Sequence, residues 1–244
     1  MEQSNERIDF KYIFDGILKV LNFERGLPYT TRELLLRPGK MMKAYFGGVR
    51  KKYTHPIQFS ILYVGLWALF VSTFSDKKAL TVSFIEDFKD GINSDEEAKA
   101  ESAVALEVWM ERGFDYFAQY QNVFNLALIP ILSVLTYFFY RKFRLYYPEH
   151  FVLNTYIIGM ISFIALLFVP FVFIDFAFAM LIGGIFSFIY TIWVYMDVFD
   201  QKSAKGFFRS LGLNVIFYFI IIIFIIATSY SYMSYFFVET EGFQ

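Results

Sequence analysis

The chain has 244 residues, 57% of them hydrophobic and 22% aromatic, with a net charge of −1 and no cysteine. The near-neutral balance excludes an overall field that gathers nucleic acid. The absence of cysteine excludes a disulfide framework, a thiolate zinc site and a cysteine nucleophile.

Soluble domains are roughly 45–50% apolar. The excess in this chain is concentrated in runs about as long as a bilayer is thick, roughly 20 residues each. The opening MEQSNERIDFKY mixes acidic and basic residues. It lacks the basic-then-apolar pattern of a cleavable signal peptide, so the first apolar run is expected to serve as its own insertion signal.

In residues 8–23, Phe10, Ile13, Phe14, Ile17, Leu18 and Leu21 fall at helical spacing. They predict an amphipathic helix, packed on the protein body or lying among lipid headgroups. Gly26 and Pro28 end it. Thr30 followed by Glu33 fits a capping box and predicts a second helix from about Thr31. Pro38 and Gly39 interrupt that helix, a short one restarts through Phe46, and Gly47 and Gly48 stop it. Thr54 is expected to cap the next helix, with Pro56 tolerated in its first turn.

Five membrane spans follow, at 57–74, 123–140, 151–173, 176–195 and 211–237. Residues 151–196 are nearly unbroken, with Asp175 their only charge. As one helix they would run roughly 69 Å, against a hydrocarbon core of about 30 Å. The run is therefore expected to fold back at Pro170 to Asp175. Lys and Arg near span ends set orientation. Residues 1–52 carry eleven Lys/Arg against six Asp/Glu, and residues 75–122 carry five against eleven. Arg141, Lys142 and Arg144 mark the second-to-third connection, and Lys202, Lys205 and Arg209 the fourth-to-fifth. Five spans with the N-terminus inside and the C-terminus outside place every basic cluster on one side.

The expected architecture is thus an all-α polytopic bundle with two regions. Residues 1–56 form a cytoplasmic, amphipathic N-terminal region. Residues 57–237 form the membrane domain, with an extracytoplasmic loop at 75–122 that holds a helix from about Asp95 to Tyr120.

Arg37, Lys40, Lys43, Arg50, Lys51 and Lys52 are candidates for holding anionic lipid phosphates, at about 1 kcal/mol per residue near the surface. Topology alone accounts for most of the same charge. His55 and His150 are the only histidines, and Glu149 precedes the second. Each starts a span at the inner face. If the first and third spans are neighbours, Tyr53, His55, Glu149 and His150 converge at one depth. Such groups can hydrogen-bond helix ends, bind a headgroup, hold a metal or act as an acid/base pair. No HExxH or comparable spacing selects a metal, and Pro38-Gly39-Lys40 lacks the rest of a phosphate loop. The spans carry no ionisable residue away from their ends, which argues against an ion pathway within one chain.

Leu36 to Lys40 (LRPGK), then Tyr45, Gly48, Arg50, Tyr53 and Pro56, resemble an uncharacterised bacterial membrane family, the domain-of-unknown-function family 3667. Tyr146 to Leu153 (YYPEHFVL) resembles its second signature, with the Glu-His pair at Glu149 and His150. The resemblance covers about Asp9 to Tyr230 and implies a bacterial inner-membrane protein with no established activity to transfer. Members often begin with a cysteine zinc ribbon. This sequence has no cysteine, so nothing carried by that ribbon is carried over. In span count and amphipathic N-terminal region the chain is also similar to the five-span Yip-type proteins, an analogy of topology alone.

The leading expectation is a non-catalytic membrane protein that organises lipids or a partner complex at the cytoplasmic face. An oligomeric channel or lipid-moving protein, and a membrane enzyme using Glu149 and His150, are the alternatives. Expected partners are membrane lipids, anionic ones among them, and a second copy or another membrane protein. No cofactor, metal ligand or catalytic residue is assigned.

Overall fold

The computed structural model describes residues 26–74, 125–143, 145–172, 174 and 176–241. The amphipathic helix expected at 8–23 and the loop expected at 75–122 lie outside the described residues. Among the described residues every regular element is helical. In chain order these are α1 (Leu27–Leu36), α2 (Pro38–Phe46), α3 (Pro56–Phe74), α4 (Asn125–Phe143, its last turn a tight 3-10 turn), α5 (Tyr147–Leu167), α6 (Val169–Val172), α7 (Phe176–Val198) and α8 (Ala204–Glu241).

Helices α4, α5, α7 and the first part of α8 are long and apolar enough to cross a membrane; apolar Pro56–Val71 of α3 is shorter. The 151–196 run folds back between α5 and α7, with one-turn α6 inside the bend. Helix α8 has 38 residues, about 57 Å at 1.5 Å per residue and well beyond a bilayer core.

Helices α3 and α5 make the most extensive contact, along a seam where Phe59 and Met160 are fully buried. Gly159 makes this approach possible. A Cβ there would lie 2.7 Å from Phe59 Cδ1 and 3.1 Å from Ser60 Cα. Lipid tails are as apolar as Leu, so close backbone packing and hydrogen bonds, not hydrophobicity, drive helices together within a membrane.

Helix α7 is the hub of the remainder. It packs on α2, α5, α6 and α8. The starts of α3, α5 and α8 and the ends of α4 and α7 gather at one end of the bundle. Tyr156 donates to the carbonyl of Thr54 at 2.6 Å, Tyr140 pairs with Ser210 at 2.8 Å, and the Tyr140 and Phe199 rings stack at 3.9 Å. That end therefore carries Arg50, Lys51, Lys52, Arg141, Lys142, Lys202, Lys205 and Arg209 together.

Several helix ends differ from the sequence expectation. Helix α1 begins at Leu27, not near Thr31, with Pro28 in its first turn where an N–H has no partner to lose. The expected capping box is absent. The Thr30 hydroxyl donates back to the Gly26 carbonyl at 2.6 Å and accepts the Thr54 N–H at 2.9 Å. Thr54 does not cap α3, since its buried Oγ1 has no partner among the described residues. Its backbone is the part in use. Helix α5 starts at Tyr147, ahead of the expected Phe151, because Pro148 suits a first turn and Glu149 closes it. The stop after α2 follows expectation: Gly48 has φ +98, a conformation that costs glycine little.

Replacing Gly159 with Leu is expected to destabilise the protein by about 1–3 kcal/mol, as overpacked cores do. Gly65→Ala, where a Cβ meets nothing within 4 Å, is the matched control. Thermal melts in the same detergent should show a lower Tm for the first variant only.

Candidate functional site

The basic end is roofed by α1 and α2. In α2, Pro38, Gly39, Met41, Met42 and Tyr45 are buried, while Arg37 just before it, Lys40 and Lys43 are exposed. The α1–α2 roof is pinned to α7 and the turn after it by three polar contacts of different kinds. The Gly39 N–H donates to Asp197 Oδ2 at 2.8 Å. Tyr190 donates to the carbonyl of Leu34, in the last turn of α1, at 3.2 Å. Lys43 pairs with Asp200 across the surface.

Asp197 acts as a remote cap. The first N–H groups of a helix have no intrahelical partner and carry partial positive charge, and a carboxylate satisfies both deficits. Gly39 has to be glycine for this contact, because a Cβ would sit 2.4 Å from the Asp197 carbonyl oxygen. Asp200, with φ 51, turns the chain after α7 and places its carboxylate beside Lys43. Aspartate tolerates this left-handed conformation better than most residues.

Between α2 and the end of α7 lies an open cleft of about 590 Å³, lined by Leu36, Arg37, Gly39, Lys40, Lys43, Trp193, Asp197, Asp200 and Lys202. Four cations face two carboxylates there. Lys43 pairs with Asp200, and Lys202 lies 3.2 Å from Asp197. Arg37 and Lys40 have no ion-pair partner among the described residues. Leu36 and Trp193 stay 54% and 37% exposed at the cleft, so its excess positive charge adjoins apolar surface.

The other sequence candidates lie in separate places. Lys51 and Lys52 are exposed in the turn between α2 and α3. Arg50 lies over the Tyr45 ring at 5.7 Å and donates to the Tyr45 carbonyl at 3.4 Å. Tyr53 stacks on Tyr29 at 5.6 Å, and burial raises the pKa of its phenol, with Tyr29 and Glu33 adding to the effect. His55 is exposed at the start of α3, where its carbonyl accepts the Phe59 N–H at 2.9 Å. The Glu149 carboxylate accepts the Tyr146 N–H at 2.8 Å, capping α5.

His150 is fully buried, with its ring against α4 and the end of α7. Its ring stacks on Phe199 and meets Tyr137 edge-on. Its Nδ1 lies 3.2 Å from Thr136 Oγ1. The Thr136 hydroxyl also lies 3.0 Å from the Ser133 carbonyl, and the buried His150 Nε2 has no hydrogen-bond partner among the described residues. Thr136 also accepts from Asn154 at 2.8 Å, and Tyr195 donates to Asn154 Oδ1 at 2.8 Å. No hydrogen bond or ion pair joins the two histidines among the described residues, and no three His, Asp or Glu side chains there gather as a metal site.

Sequence reasoning missed Asp197 and the Ser133–Thr136–Asn154–Tyr195 network. Their signal was available. Ser133, Thr136, His150, Asn154 and Tyr195 are polar positions at helical spacing inside apolar runs.

The bundle is thus that of a helical protein with membrane-length helices and a basic, lidded end. Residues 24–68 match the model of the family described as Protein of unknown function (DUF3667), which is the family that LRPGK and the residues after it resemble. The match covers α1, α2 and most of α3, and so includes Arg37 and Lys40 of the cleft. No curated protein and no solved structure matches the chain.

Asp197→Ala removes the remote cap and is expected to cost about 1 kcal/mol locally. Amide exchange over residues 38–46 should quicken about fivefold, with Asp197→Asn, which keeps an acceptor, falling between that variant and the parent.

Proposed function

We propose that this is a non-catalytic, five-span protein of the bacterial cytoplasmic membrane that holds anionic lipid headgroups at its inner face. The cleft under α2 carries the reading. It sets Arg37 and Lys40, free of ion partners among the described residues, beside exposed Leu36 and Trp193. A lipid phosphate supplies the missing anion, and its glycerol and upper chain suit the apolar rim. Trp is enriched at this depth of a bilayer for the same reason.

The five-span reading takes α3 as the first span. Its 19 residues give about 28 Å, near the hydrocarbon thickness. With α3 counted, the basic clusters share one side and the positive-inside tendency makes that side cytoplasmic. The N-terminus is then inside and the C-terminus outside. Lys51, Lys52 and Arg141 widen the positive rim around the cleft, and the tightly held α1–α2 roof gives a partner protein a fixed surface.

Two measurements test this reading. Reporter fusions after Asp90 and after Gln244 should both read as external; a cytoplasmic signal at either point overturns the five-span topology. In nanodiscs of mixed phosphatidylglycerol and phosphatidylcholine, the protein should retain the anionic lipid selectively. At about 1 kcal/mol per cation, Arg37→Gln with Lys40→Gln should weaken that retention roughly 30-fold. Equal retention of both lipids by the parent protein would contradict headgroup binding.

A further inference from the structure

A second cavity, of about 240 Å³, lies where α3, α4, α5, α7 and α8 converge. Trp67, Ser162 and Tyr218 on its walls are eleven, fifteen and fourteen residues from the starts of their helices, so it sits roughly 17–22 Å from the basic end. That is deep within the apolar part of the bundle and remote from the headgroup cleft, on which nothing below depends. Helix α7 leaves the space open because it presents Gly183 and Gly184 there. A Cβ on Gly184 would meet nothing within 4 Å.

The lining is apolar except for five side chains, those of Trp67, Asn125, Ser162, Ser187 and Tyr218. Ser162 gives its hydrogen to the Ile158 carbonyl at 3.1 Å. The other four make no side-chain hydrogen bond within the described residues, and Ser187 is only 4% exposed. Water does not compete at such a depth, so unmade hydrogen bonds there are costly. The unused capacity includes five hydrogens, on an indole N–H, an amide NH₂ and two hydroxyls, alongside the oxygen lone pairs of the amide and the hydroxyls. Among the described residues no charged group faces the space.

We propose that this cavity binds an uncharged, carbonyl-bearing ring compound dissolved in the membrane, a quinone being the simplest case. The donors call for acceptor oxygens. The absence of charge in the lining disfavours an ionised group. A space of about 240 Å³ is on the scale of one substituted ring and well below a two-chain lipid. Trp67 and Tyr218 supply aromatic surface suited to a ring.

The test uses the full chain in nanodiscs and equilibrium dialysis with two probes of equal tail, decyl-benzoquinone and decylbenzene. The quinone should bind saturably, near one per chain, at least tenfold more tightly than the hydrocarbon. Tyr218→Phe and Ser187→Ala should each weaken the quinone several-fold and leave decylbenzene unchanged. Equal uptake of the two probes, or uptake that only follows the amount of lipid, overturns the proposal. So does a co-purified phospholipid that the quinone fails to displace, which makes the cavity a slot for a lipid chain. The parent protein with the two probes decides the matter even if a variant does not fold.

Discussion

A polar group placed among apolar helices has to be satisfied within the protein, because lipid offers it no partner. Asn154 is where this chain meets that constraint most fully. Its amide donates to Thr136 and to the His150 carbonyl, and its oxygen accepts from Tyr195. Three helices, α4, α5 and α7, are thereby fixed in register by one side chain. Slide any of them by a turn and several buried groups lose partners together. Van der Waals contact alone sets no such register, since one aliphatic ridge substitutes for another.

The basic end depends on that register. Tyr195 and Asp197 stand on the same last turns of α7. Fixing Tyr195 in the core fixes Asp197 at the surface, and Asp197 in turn accepts the Gly39 N–H in the first turn of α2. The same end of α3 is tied by Thr54, whose N–H and carbonyl are taken by Thr30 of α1 and Tyr156 of α5. The α1–α2 roof is thus a continuation of the bundle, although it contains no membrane-length helix. Its exposed cations inherit a defined geometry, which isolated basic residues on a surface loop lack.

The helical class and the long apolar helices were legible because a twenty-residue apolar run has few other outcomes. The breaks at Pro38 and at Gly47-Gly48 were legible for the same local reason. Side-chain partners were not. Thr30 with Glu33 reads as a capping box on spacing alone, yet the Thr30 hydroxyl serves Gly26 and Thr54. The local rule failed because a tertiary donor 24 residues away used the same oxygen. Glu149 and His150 are adjacent in sequence and so invite a joint role. Successive helical positions face about 100° apart, and these two side chains serve a helix end and a buried network respectively. The cleft was half legible: Arg37 and Lys40 stood out as cations, but Asp197, Asp200 and Trp193 reach them from more than 150 residues away.

The central claim is that a lipid phosphate sits between Arg37 and Lys40 under the α2 roof. A density map of the protein in a bilayer containing phosphatidylglycerol tests it directly. The account predicts phosphate density within hydrogen-bonding distance of both side chains, with the α2–α7 contact at Gly39 and Asp197 intact. A cleft that opens to bulk water, with the anionic lipid spread evenly around the bundle, would contradict it.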